Sequence, residues 1–165
     1  MVSQSIRSTD AMAKRDRKYS LDTNVFIRSF RDKSENDAIQ RFHRVFGPFE
    51  HLSSVVVHEL RAGAVNVRSR RSLERHVLDP FLRRGRVFTP SAAAWEQAGD
   101  ILAALRRADG VDLKRMRRSF AMDILLAVSC REAGVVLVTE NTGDFVRIHK
   151  HMRFDFIEPW PDPGT

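Results

Sequence analysis

Four acids stand where their surroundings make an acid costly. Asp22 ends the short apolar run Tyr19-Ser20-Leu21. Glu59 lies in Val55-Val56-Val57-His58-Glu59-Leu60, beside a buried stripe, and Gly63 one turn later leaves room over its carboxylate. Asp123 sits inside Phe120-Ala121-Met122-Asp123-Ile124-Leu125-Leu126-Ala127-Val128. A helix this apolar is buried on most sides, and a carboxylate there must neutralise, pair or bind a metal. Asp144 closes Thr139-Glu140-Asn141-Thr142-Gly143-Asp144, just after the β-branched run Val135-Val136-Leu137-Val138. Each has an ordinary structural alternative. Asp22 and Asp144 can cap helices, Glu59 can be solvated, and Asp123 can pair with a buried arginine or cap a helix that starts late.

If the four meet, they need positive charge. Two carboxylates ~4 Å apart at an effective dielectric of ~20 repel by about 4 kcal/mol. An all-oxygen set without thiolates selects hard Mg²⁺ or Mn²⁺. Such an ion makes bound water a better nucleophile and offsets charge on a phosphate. Cys130 is the single cysteine, which excludes an internal disulfide and a multi-cysteine zinc site. The six histidines show no zinc spacing, and no glycine-rich phosphate loop is present. The net charge is +7, with 23 arginines against five lysines. Arginine grips phosphates bidentately, so nucleic acid is the natural partner; a GC-rich genome also loads proteins with arginine. An acidic metal pocket on a basic protein suits an enzyme that cuts a polyanion.

The elements that position these acids alternate. Residues 19–22 read as a strand and 24–30 as a short helix. Residues 37–46 carry Ile39, Phe42 and Phe46 at helical spacing, ended by Gly47-Pro48. A second strand is expected over 49–53. A helix over 54–67 has Val56, Leu60, Ala64 and Val67 on one stripe, and another over 69–82 is bent or ended by Pro80. Residues 86–88 form a third strand, and Thr89-Pro90 starts a helix running to about Ala108. After an exposed basic linker at 109–116, residues 117–133 form the most apolar helix, stopped by Gly134. Residues 135–138 are a strand buried on both faces, 141–150 a loop and short helix, and 154–157 an edge strand. Strands alternating with helices predict a three-layer α/β/α sandwich with a mostly parallel central sheet. Ligands in such sheets gather beyond the carboxyl ends of the strands, where Asp22 and Asp144 fall.

At 165 residues the chain has room for one domain. Residues 1–17 read as a basic tail, 18–160 as the domain and 161–165 as a second tail; Met12 is an alternative start. No membrane span or secretory signal is evident, so the cytoplasm is the expected compartment.

Four segments in this order resemble a PIN domain, most closely the VapC-type toxins of bacterial toxin–antitoxin pairs. They are Leu-Asp-Thr-Asn-Val from Leu21, Val-His-Glu-Leu-Arg-Ala-Gly from Val57, Asp-Ile-Leu-Leu-Ala-Val-Ser from Asp123 and Val-Thr-Glu-Asn-Thr-Gly-Asp-Phe from Val138. Separations of 37, 64 and 21 residues between the acids suit that family. The resemblance implies a Mg²⁺- or Mn²⁺-dependent ribonuclease in which Asp22, Glu59, Asp123 and Asp144 hold the metal and carry catalysis. Asn24, Thr139 and Asn141 match its supporting polar positions. It also implies a homodimer and an antitoxin partner. Leu126 and Val128 replace the commoner isoleucine and alanine. Glu140, a fifth acid, reads as a solvated loop residue. Arg68-Ser69-Arg70-Arg71 and the run from Lys114 to Arg118, with Arg115, Arg117 and Arg118, line an RNA path or form a solvated face. Other readings are a PIN-fold nuclease of RNA maturation or of DNA, and a catalytically weak nucleic-acid-binding module. A phosphotransferase of the haloacid dehalogenase type would want an aspartate two positions after Asp22, where Asn24 stands.

Overall fold

The structure, a computed structural model, describes residues 17–109 and 118–160. Residues 1–16 of the expected tail 1–17, the expected tail 161–165 and most of the basic linker lie outside the described residues. Strand β1 (Lys18–Leu21) leads into α1 (Thr23–Arg31) and α2 (Lys33–Phe46). A 3₁₀ turn, Gly47–Phe49, precedes β2 (Leu52–Ser53), which enters α3 (Ser54–Gly63). An arm follows: α4 (Val67–Leu73), a π turn (Glu74–Leu78) and α5 (Asp79–Arg83). Then come β3 (Val87–Phe88), α6 (Ala92–Asp109), α7 (Arg118–Ala133), β4 (Val135–Val138), α8 (Thr142–His149) and β5 (Phe156–Ile157).

Every strand pairing among the described residues is parallel. β4 lies between β1 and β5, and β2 pairs with β3. A parallel bridge from Tyr19 to Glu50, with His51 N–H on Tyr19 C=O at 2.8 Å, joins the two groups. The order is therefore β3-β2-β1-β4-β5. The chain moves outward from β1 to β3, then crosses back to β4 and continues to β5. Right-handed crossovers in opposite directions put α1–α5 and α6–α8 on opposite faces, which gives the three layers. Strand order reverses between β1 and β4, so the crevice beyond their carboxyl ends is the switch point where ligands bind. All four residues of β4 are buried, as their β-branched run predicts. The core joins Leu21, Leu137 and Val138 of the sheet to Phe26, Phe42, Leu105, Ile124 and Phe145 of the helices. Cys130 belongs to it and is wholly buried.

Several boundaries differ from the sequence expectation. α2 starts at Lys33 rather than 37, because Asp32 caps it by accepting from Ser34 and Glu35 N–H. β2 is shorter, since Gly47–Phe49 winds into the 3₁₀ turn. α3 stops at Gly63, and Val67 is 75% exposed instead of on the buried stripe. The reason is a reciprocal capping box between Asn66 and Ser69, which starts α4. Pro80 does not end the arm. It sits in the first turn of α5, and the π turn immediately before takes up the change in hydrogen bonding. α6 is capped by Ser91, whose Oγ accepts from Ala94 N–H at 3.1 Å, and not by Thr89.

Candidate active site

Asp22 does two things at once. Its N–H continues the β1–β4 ladder to Val138 C=O at 2.9 Å. Its Oδ1 caps α1 by accepting from Thr23 N–H at 2.7 Å. Its Oδ2 accepts from the Thr139 hydroxyl at 2.7 Å and the Asn24 amide at 3.1 Å. Thr139 follows β4 directly and is fully buried, and its Oγ1 also accepts from Asn141 N–H at 3.0 Å. Neighbouring strand ends are thus tied through one hydroxyl at the switch point. The cap and the site are not competing roles for Asp22, because each uses its own oxygen.

Glu59 comes from α3, which packs against α1 and α7. Its Oε2 accepts a short hydrogen bond from the Thr23 hydroxyl. Asp123 is the sixth residue of α7, so it caps nothing. No cation pairs with it among the described residues. Its partner is the Asn141 amide, which donates to Asp123 Oδ2 at 3.3 Å and to Asp144 Oδ2 at 3.0 Å. Asp144 lies in the first turn of α8, where its charge faces the positive end of the helix. Asn24, Thr139 and Asn141 therefore each hold one or more of the acids in place.

The four acids share one electrostatic environment. Burial first, then the charges of Asp22, Glu59 and Asp144, push the Asp123 carboxyl up to about 8 from an ordinary 3.8. Burial also pushes Asp22 up to about 6, with Glu59 adding to the rise and the bonds from Thr139, Thr23 and Asn24 opposing it. The Asn24 amide oxygen is buried without a hydrogen-bond partner. Carboxyls that resist ionisation together with an orphaned carbonyl-type oxygen mark a cluster short of positive charge. Among the described residues no three acid, imidazole or thiolate side chains form a ready ligand set. The chemistry of the set, oxygen throughout, fits a hard divalent cation.

Glu140 is outside the cluster. Arg28 holds it at 2.8 Å and also takes Glu35 at 2.8 Å. Arg115 and Arg117 lie outside the described residues, as does the side chain of Arg118. Two residues escaped sequence reasoning. Thr23 lies within the first motif, but its bond to Glu59 spans 36 residues and has no local signature. Arg147 stands 3.7 Å from Asp144, and its position three residues on in a helix is a signal that could have found it.

Comparison with known proteins agrees with this geometry. A family model described as the PIN domain matches residues 19–150. The tRNA(fMet)-specific endonuclease VapC of Shigella flexneri is 32% identical over 132 residues, covering 79% of this chain and 92% of that protein. Among solved structures, DNA-bound VapBC from Salmonella typhimurium is similar with a TM-score of 0.64 and 26% identity, covering 86% of this chain and 98% of its own. FitAcB from Neisseria gonorrhoeae shares the fold, with a TM-score of 0.61, 21% identity and the same coverage. The motifs, the parallel sheet with its acids at the switch point, and these likenesses agree: the chain belongs to the PIN domain family, in its VapC-type branch.

Proposed function

We propose that the protein is a divalent-metal-dependent endoribonuclease, the toxin of a toxin–antitoxin pair, and that Asp22, Glu59, Asp123 and Asp144 are its working acids. The observation that carries this is the gathering of four carboxyls at the switch point, Asp22 at the end of β1, Glu59 on α3, Asp123 on α7 and Asp144 in the first turn of α8, close enough that the other three all add to the rise that burial causes at Asp123. Mg²⁺ or Mn²⁺ would be held by these four side chains. When bound, the ion supplies a more acidic water as nucleophile and offsets charge on the phosphate.

The chain's own residues prepare that chemistry. Thr139 and Asn24 fix Asp22, Thr23 fixes Glu59, and the Asn141 amide aligns Asp123 with Asp144. While positive charge is lacking, the Asp123 carboxyl keeps its proton near neutral pH. The Shigella relative is named for a tRNA, which favours RNA over DNA as substrate. Arg115, Arg117 and Arg118 serve as phosphate contacts along the RNA path.

A groove of about 770 Å³ runs between α1–α2 and α3–α5, with Phe26, Phe30, Ile39, Leu60 and Phe81 among its lining. Glu59 stands in its wall. A protein partner seated there, an antitoxin in this reading, covers one of the acids and blocks the site. The test in cells is to sequence RNA 5′ ends after brief expression. Discrete new ends with the wild type and none with Asp22→Asn are expected. Identical ends with both would overturn the assignment.

A further inference from the structure

Arg147 is held beside the acid cluster by contacts from two helices. Its guanidinium carbon lies 4.9 Å from the centre of the Phe120 ring. Its Nη1 stands 3.7 Å from Asp144 Oδ1. Phe120 is one turn before Asp123 on α7, and Arg147 is three residues after Asp144 on α8. The ring, the cation and two of the acids thus share one packed pair of helices. The Arg147 side chain is 41% exposed beside Asp144, itself 38% exposed, so solvent and ligands can reach the pair.

Arginine suits this place better than lysine. A guanidinium lays its face on an aromatic ring while its edge presents paired N–H donors to an oxyanion. A phosphodiester approaching four carboxyls meets repulsion, and a fixed cation next to Asp144 opposes it. We infer that Arg147 is a phosphate-binding residue of the cleavage site, its edge donating to a non-bridging oxygen of the scissile or adjoining phosphate while Phe120 and Asp144 fix its orientation. This rests on the ribonuclease reading and adds to it the residue that positions the substrate. The rival is a purely structural tie between α7 and α8.

Full-length Arg147→Ala and Arg147→Lys separate the two. The first readout is binding of a fluorescent single-stranded RNA in chelator over a range of salt. One phosphate contact adds about 0.7 to the slope of log K against log salt, and Arg147→Ala is expected to lower the slope by about that much. The second is cleavage in Mn²⁺. Arg147→Ala is expected to lower kcat about 10²-fold, the loss typical of removing one oriented donor to a developing oxyanion. KM should change less, Arg147→Lys should recover the rate only in part, and dissolved guanidinium should restore part of the alanine variant's rate. Melting temperatures should stay close to the wild type. An unchanged slope and affinity would overturn the inference. So would a slowed variant that guanidinium does not rescue and that melts several degrees lower, which is the signature of the structural tie. A wild type that binds RNA with an Arg147-dependent slope yet cuts none contradicts the ribonuclease reading and leaves the phosphate contact standing.

Discussion

Asp123 behaves as a charge the fold would prefer not to carry. Its carboxyl is pushed to about 8, whereas an unfolded aspartate titrates near 3.8. Between those values the folded protein binds more protons than the unfolded one. Without a cation, the contribution of this group to stability is therefore full below about pH 4 and is lost as pH rises toward about 8. Asp123→Asn removes the charge at almost constant volume. In chelator near neutral pH it should be more stable than the wild type by about 1 kcal/mol or more. Mn²⁺ should raise the wild-type melting temperature more than the variant's, because the ion binds the folded site. Paired thermal melts check this. A less stable variant, with a wild type indifferent to Mn²⁺, would remove Asp123 from the site. Activity should rank the acids in the same sense. Asp22→Asn and Asp123→Asn should each cost about 10²-fold or more in kcat. Glu140→Gln should cost little, because Arg28 holds that side chain away from the cluster. A cleavage assay in which Glu140→Gln is the most damaging change would place the working acids elsewhere.

Elements stand or fall on a few local decisions. Gly134 ends α7 at a φ of 63°, and a side chain there would meet open space, so only backbone strain opposes substitution. Gly134→Ala should destabilise by about 1 kcal/mol, lower the urea midpoint and leave the cleavage rate of the folded protein unchanged. An unchanged midpoint would mean that the left-handed turn is not needed. Gly134 as a helix stop was readable, as were β4 and α7, because their patterns are long and consistent. Asp123 stood out for a related reason, since it breaks an apolar run, whereas Asp22 and Asp144 were marked by following strands and Glu59 by lying beside a buried stripe. The break between α3 and α4 was not, because the stripe through Val67 mimics a continuing helix while the Asn66–Ser69 capping box decides otherwise. The cap of α6 shifted from Thr89 to Ser91 because only Ser91 stands three residues before the Ala94 N–H it accepts from. Thr23 stayed hidden because its contact with Glu59 exists only after the sheet has brought distant segments together, and so does the contact of Arg147 with Phe120, although the spacing of Arg147 from Asp144 was there to be read.

At the scale of the molecule, a +7 chain gathers four acids at the switch point of its sheet. In the proposed function the basic charge draws in a polyanion, and a cation bound by the acids would let it come close. β1 brings Asp22 to the crevice and the start of α8, after β4, brings Asp144, while α3 and α7 supply the other two. The measurement that bears most directly on this account is the rate at which the purified protein cuts a looped RNA in Mn²⁺ and in excess chelator. Cleavage that requires the metal, stops in chelator, returns when Mn²⁺ is restored and is lost in Asp22→Asn is the result expected. Cleavage that proceeds equally well in chelator, or that survives in Asp22→Asn, would contradict it.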